Sequence, residues 1–556
     1  MKELASSTGS VLRFSGRIML LAAVLFFNEK LPAQGVLYKV SGVYGGGNAL
    51  LVQADTIAFT GSFAQGRKLF PNARVEQRKN TWIYPGFMDA HAHFYYYGLG
   101  LTECDLRGTA SFREVCDRVA FYARLHPDGW IIGRGWDQND WLNKEFPDRA
   151  MLDSMFPNRP VVLKRVDGHA LLINDAARRA SGLNPDVPIA GGEVLKNEGR
   201  YTGVLIDQAC TIVSDAVPAP SRQRQILALE LAAGQVLAQG VTALSDAGLP
   251  YDVIVLIDSL QRAGRLPLRI DAMMAPEAAN FSKFQQGGFS SPWLACGSVK
   301  YYLDGALGSR GACLKDDYCD RSGYRGLLLV RPDSFETACR QAASIGLRIC
   351  VHAIGDSANK LALHTMAKHM PAGARWRVEH AQVVDPHDLH LFQHTGIIPS
   401  VQPTHATSDA PWAEERLCAH RMHGAYAYRT LLKTAGTIAL GTDFPVEQVN
   451  PLATYLAAVF RNSADGSVQH FRQEEALSPE DCIKGMTEWA WQASDLKLRG
   501  GKIAPGYQAD LVFLDRNLVR LKAHEVLQTK VLDAMTAGVI RTIHLEEVKA
   551  PTGKSR

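Results

Sequence analysis

Apolar and polar positions follow two regimes along this chain. In residues 36–81 the apolar runs are short: Val36–Val43 and Ala49–Thr60 read as strands, and Gly45-Gly46-Gly47 reads as a turn between them. From residue 82 short apolar runs recur at Trp82–Asp89, Val241–Ser245, Leu268–Met274, Val299–Leu303, Leu347–His352, Arg375–His380, Ile397–Gln402 and Thr437–Gly441. Most are separated by amphipathic stretches with helical spacing, such as Gln223–Ala238 and Ser334–Ile345. Strand and helix in alternation predict a parallel sheet, and eight strand candidates predict its closure into an α/β fold, a (β/α)8 TIM barrel. The short-strand style returns after the Gly500–Gly506 turn, with Ala509–Leu514 and Val539–Leu545. Both chain ends are therefore expected to build one small flanking β-sandwich, 35–81 and 496–548, around a barrel over 82–495.

One interval breaks this rhythm. About 150 residues separate the first candidate strand from the second, far beyond an ordinary βα connection. Residues 100–220 are read as an insertion expected to pack over the barrel mouth. At the N-terminus Lys2, Arg13 and Arg17 precede the apolar run Ile18–Phe27 and then Leu31-Pro32-Ala33-Gln34. This pattern predicts a signal peptide over 1–34 and an exported protein, periplasmic or secreted. The alternatives are a cytoplasmic protein or one anchored to the membrane by that segment.

Composition narrows the function classes. With 60 Lys+Arg against 56 Asp+Glu the net charge is +4, spread along the chain, which excludes a nucleic-acid or membrane-surface footprint. The partner expected is a small-molecule substrate, with a homo-oligomer left open. The ten cysteines form no CxxC pair, so a zinc ribbon or redox motif is excluded. Cys313 and Cys319 are near enough in sequence to pair, against the simpler reading of buried or free thiols.

The candidate chemistry sits at the ends of the apolar runs. His91-Ala92-His93 leaves the first, and residues two apart on extended backbone face the same way, so both imidazoles can reach one metal ion. Asp89, at the next same-face position, is placed to orient a ligand histidine. Lys300 lies within the largely apolar run Val299–Leu303, where burial favours the neutral amine that can take up CO2 as a carbamate. A neighbouring carboxylate would instead explain it as a paired lysine. His352 and His380 each end a run, and Asp443 follows the last, as a metal ligand or a helix N-cap. Weaker substrate-contact candidates are Trp136 and His169 in the insertion, Arg310 after the lysine run, and His405 after the seventh. The aromatic residues Phe94, Tyr95, Tyr96, Tyr97, Trp136 and Trp141 hint at an apolar portion of the substrate.

In order, PGFMDAHAH, GWDQNDW, RVDGHALLIN, VKYYLDGALGSRGA, VHAIGDSAN, RVEHAQ, GTDFPV and GKIAPGYQADLVFLD resemble the amidohydrolase superfamily. The wording is most similar to its family 3, the branch like N-substituted formamide deformylase. The resemblance spans about residues 36 to 520. It implies a barrel with a flanking β-sandwich and one or two divalent ions, usually zinc. It further implies that His91, His93 and Asp443 hold one ion, His352 and His380 the other, and that carboxylated Lys300 bridges them. Ser309-Arg310-Gly311-Ala312 and Thr487-Glu488-Trp489-Ala490-Trp491 depart from the family's usual wording, which bears on substrate preference rather than on the reaction class. The expected function is hydrolysis of a carbon–nitrogen bond, amide or formamide in type, by a metal-activated hydroxide with Asp443 as general base. The alternatives are hydrolysis of esters, lactones or cyclic ureides at the same site, or a non-catalytic metal-dependent binding protein.

Overall fold

The computed structural model describes residues 35–166, 168–189 and 192–541; the segment bearing the expected export signal lies outside them. Eight parallel strands form one sheet in chain order: β1 (Phe87–Ala92), β2 (Val241–Leu249), β3 (Arg269–Met274), β4 (Leu294–Tyr302), β5 (Arg348–Ala353), β6 (Arg377–His380), β7 (Ile398–Val401) and β8 (Ala439–Leu440). The ring closes just past the last strand, where Asp443 N donates to His91 O at 2.8 Å and His93 N donates to Phe444 O at 2.8 Å. These strands read as nearly continuous apolar runs because helices cover their outer face and side chains fill the inside. β1, β3 and β6 are buried along their whole length. The fold is a (β/α)8 barrel with flanking sheets.

The run Trp82–Asp89 does not continue as one strand. Trp82–Pro85 joins a flanking sheet, antiparallel to Leu511–Leu514, and the barrel strand begins at Phe87. Gly86 makes the corner: a Cβ there would sit 2.1 Å from Thr242 Oγ1, so no larger residue lets the chain pass this close to β2.

Two flanking sheets carry the remaining strands outside the insertion. One orders Thr56–Gly61, Ala49–Gln53, Val36–Lys39 and Arg74–Gln77. The other orders Gly42–Val43, Trp82–Pro85, Leu511–Leu514, Val531–Thr536 and Val539–Ile540, so it draws on both ends of the chain. Their shared core includes Tyr38, Ile83, Leu511, Phe513 and Met535. The expected strand Val539–Leu545 is described only to Ile540, its remainder falling outside the described residues.

Residues 99–225 form a compact unit of their own, and 35–98 with 226–541 form another. The first has a six-stranded sheet running from Gly192–Asn197 at one edge to Cys104–Asp105 at the other. Its core gathers Leu106, Trp136, Trp141, Leu163, Leu172 and Val204.

Cysteine pairing departs from the near-neighbour expectation. Cys319 pairs with Cys418, 99 positions away, with Cα atoms 5.6 Å apart, and Cys313 is free. Cys319 N donates to Arg416 O, which draws the post-β4 loop to the segment holding Cys418. Cys313 is instead tied by its amide to Asp304 Oδ2 and by its carbonyl to Ser357 N.

Among the described residues, no helix is long and apolar enough to cross a membrane.

Candidate active site

The C-terminal ends of β1, β4, β5, β6 and the turn after β8 bring His91, His93, Lys300, His352, His380 and Asp443 together. Asp443 is the hub. Its Oδ1 lies 3.6 Å from His91 Nε2 and 3.2 Å from His93 Nε2, and its Oδ2 lies 3.6 Å from His405 Nε2. The rings of His352 and His380 stand 4.5 Å apart, and those of His91 and His380 5.0 Å apart. Two ligand-like triads result, His91–His93–Asp443 and His380–His405–Asp443. His405, in the first turn of the helix Pro403–Asp409, thus stands in the group as well. His352 leans the other way, its Nε2 3.5 Å from Asp304 Oδ1.

The backbone under two of these residues is unusual. His380 has φ 73° and Asp443 φ 60°, the left-handed region that side chains normally avoid. Such conformations persist where surrounding contacts over-determine them, and they gather at functional sites.

The electrostatics favour neutral His91, His352 and His380 and a charged Asp443. Burial, then the neighbouring Lys300, pushes His91 down to about 4 and His352 to about 3. Burial and His352 hold His380 well below its usual range. Burial would raise Asp443, but His93, His91, His380 and His405 around it outweigh that and hold its carboxyl well below the ordinary range. Neutral imidazole and charged carboxylate are the forms that ligate a divalent cation. Lys300 is fully buried, and desolvation lowers its amine to about 8. Its Nζ is 3.2 Å from His91 Nε2, and among the described residues it forms no ion pair with a carboxylate.

The donor set fits a metal. His405 Nε2 and Asp443 Oδ1 are buried polar atoms without a hydrogen-bond partner. Orphaned buried polar atoms cost stability, so convergent ones call for a ligand.

Several supporting residues were invisible to the pattern reading. Glu379 Oε2 stands 2.6 Å from His91 Nδ1, and Gln402 Oε1 stands 2.7 Å from His380 Nδ1. Both oxygens accept, so each histidine carries its proton on Nδ1 and turns Nε2 inward. Arg377 in turn pairs with Glu379. Glu379 faces the barrel interior one residue before His380, and closure of the barrel brings it against His91 of β1. Asp246 takes the amides of Phe94 and Tyr95, and burial pushes it up to about 7. Asp89 does not orient a ligand ring: it accepts from the amides of His91 and Thr442 and from Thr442 Oγ1, pinning β1 to the turn after β8.

The weaker candidates are placed differently. Trp136 is fully buried in the insertion core, stacked near Trp141 with its Nε1 donating to Leu163 O, so no face of the ring is left for a substrate. His169, exposed, has Nδ1 2.9 Å from Asp207 Oδ1. Arg310 pairs with Asp320, which Arg416 also holds, so it braces the post-β4 loop. Of the aromatic residues after β1, Phe94 and Tyr95 are buried and Tyr96 is exposed.

Comparison with known proteins agrees with this geometry. The profile of the amidohydrolase family matches residues 79–543. YtcJ of Bacillus subtilis (strain 168), whose name assigns it provisionally to the amidohydrolases, is 32% identical over 478 residues, 84% of this chain and 90% of that protein. N-substituted formamide deformylase of Arthrobacter pascens is 24% identical over 520 residues, 89% of this chain and 94% of that one. Among solved structures, an uncharacterized metal-dependent hydrolase from Pyrococcus horikoshii OT3 superposes with a TM-score of 0.76 at 25% identity, covering 88% of this chain and 99% of that one.

Proposed function

This chain belongs to the amidohydrolase family and is a metal-dependent hydrolase, and from that premise we propose that it cleaves a carbon–nitrogen bond, amide or formamide in type. The observation that carries the reading is the convergence of imidazoles and one charged carboxylate on a buried point, where His405 Nε2 and Asp443 Oδ1 have no hydrogen-bond partner. His91, His93 and Asp443 would hold one divalent ion, His352 and His380 a second, and zinc suits this nitrogen-rich set. When bound, such ions polarise a carbonyl and lower the pKa of water.

The protein's own part is to set protons and orientation. Glu379 and Gln402 hold the Nδ1 protons of His91 and His380, which fixes the tautomer and turns each Nε2 inward. Burial lowers the Lys300 amine to about 8, which raises its neutral share, and that neutral amine would form a bond to the carbon of CO2 with release of one proton. The resulting carbamate would supply the site with an anionic ligand at that position. Asp443 is the general base: it takes a proton from the attacking water and passes it to the leaving nitrogen. His405, facing the second carboxylate oxygen of Asp443, is placed to donate to the oxygen of the reacting carbonyl.

Export is part of the same proposal. The Cys319–Cys418 disulfide suits an oxidising compartment, in keeping with the signal-like pattern of residues 1–34.

Hydrolysis of a panel of N-substituted formamides, N-acyl amino acids, simple esters and cyclic ureides, run beside an Asp443→Ala control, tests the reaction. Turnover of amide-type members that vanishes in the control supports the reading. Turnover confined to esters, or equal turnover in the control, overturns it.

A further inference from the structure

Large apolar side chains exposed to solvent are common singly, but here several gather at one end of the barrel. Tyr96 follows β1, Tyr302 ends β4, Leu327 and Leu329 lie on the loop after β4, and Val446 comes three residues after Asp443. They adjoin the site through the backbone: Leu329 N donates to Leu303 O, and Val446 N donates to Asp443 O.

Tyr302 is the member that touches the ligand cluster. It lies two residues beyond Lys300 on the same face of β4 and pairs in register with His352. Its ring centroid is 5.1 Å from Lys300 Nζ and 5.7 Å from the His352 ring, yet the residue is 39% exposed. Room for it is built into β2. Gly248 has φ +78°, and a Cβ there would stand 3.1 Å from the Tyr302 hydroxyl. The ring therefore spans from β4 toward β2, one side on the ligand residues and the other open. Whatever is seated on that cluster meets it.

We propose that Tyr302 is a specificity-determining residue, and that the substrate is a carbonyl compound bearing a planar apolar group within a bond of the reacting carbonyl. This rests on the metal-hydrolase reading and names the substrate class within it. The planar group lies against the open side of Tyr302, with Leu329 and Val446 bordering it, and a ring-on-ring contact there is worth about tenfold in affinity.

Hydroxamates test this without turnover. Acetohydroxamate, benzohydroxamate and N-phenylacetohydroxamate share the metal-binding group and differ in whether an aromatic ring sits on the carbonyl or nitrogen side. Titration calorimetry on the zinc-loaded protein is expected to show at least one aryl compound binding about tenfold more tightly than acetohydroxamate. That ratio should fall toward one in Tyr302→Ala and be kept in Tyr302→Phe. Tyr302→Leu, which retains apolar bulk, should also lose most of it and serves if the alanine variant does not fold. A purely structural role would weaken all three compounds alike. Aryl compounds no tighter than acetohydroxamate, or a preference that survives both Tyr302→Ala and Tyr302→Leu, would overturn the proposal. Failure of all three, acetohydroxamate included, would instead overturn the metal centre on which it rests.

Discussion

Glu379 Oε2 lies 2.6 Å from His91 Nδ1, and both side chains are completely buried. Burial alone would raise the glutamate, yet Arg377 and His91 outweigh it and hold the carboxylate charged well below the usual range. It therefore fixes the His91 tautomer from behind. Glu379→Gln keeps the shape and loses the charge, so metal affinity should fall about 10- to 100-fold. Competition against a chelator of known affinity measures this. Unchanged affinity in a folded variant would show that the pair only fills space.

Asp443 answers to a different readout. If it moves the proton as well as holding an ion, supplying saturating metal to Asp443→Asn should restore occupancy but not turnover. Its kcat should stay about 10²- to 10⁴-fold down, the span typical of a lost general base. Recovery of kcat with metal loading would reduce its role to ligation.

How far these residues were legible in sequence depends on what fixes them. His91, His93, Lys300, His352, His380 and Asp443 each fall in, at or just past the end of an apolar run, and a parallel barrel collects strand ends on one rim, so order along the chain was enough to group them. Glu379 was not legible, because its partner is 288 residues away and only closure of the barrel brings them together. Tyr302 was hidden for a related reason. It reads as one more apolar strand position, and its exposure arises where β4 ends beside Gly248. Trp136 misleads in the opposite direction: a motif tryptophan suggests a pocket, while the insertion needs that ring to fill its core. The barrel's first strand was read too long because Trp82–Pro85 and Phe87–Ala92 are both apolar, and the corner at Gly86 is a packing constraint imposed by Thr242.

Asp409 should give the protein a pH-dependent stability of its own. It ends the helix that begins beside His405, and its Oδ2 accepts from Gln382 Nε2 and Tyr426 Oη. Burial pushes it up to about 6 from an ordinary value of 3.8, although His405 and these donors pull the other way. A raised carboxyl favours the protonated folded form. Its stabilising contribution is therefore full below about 3.8 and lost as the pH rises through about 6. Asp409→Asn, which cannot ionise, should be more stable than the parent at pH 8 by about 3 kcal/mol and nearly equal to it at pH 4. Denaturant unfolding of chelator-treated protein at the two pH values checks this. A difference of the same size at both would exclude ionisation as its cause.

The disulfide offers the remaining test, and it separates two pairings cleanly. Cys319 and Cys418 tie the loop after β4 to the segment after β7, where Arg416 also reaches Asp320. Protein denatured without reductant should expose eight reactive thiols of the ten cysteines, since eight are free. Cys313→Ser should lower that count by one and leave the crosslink intact. Cys418→Ser should remove the crosslink, free the Cys319 thiol and leave the count of cysteines at nine, all reactive. Closing a loop of 99 residues restricts the unfolded chain strongly, so Cys418→Ser should cost about 2–4 kcal/mol of stability. Cys319 and Cys418 themselves should be recovered in one crosslinked peptide pair after proteolysis. A Cys313–Cys319 peptide in their place would mean that the loop after β4 closes on itself, and that the brace to the post-β7 segment rests on noncovalent contacts, those of Arg416 and Arg421 included.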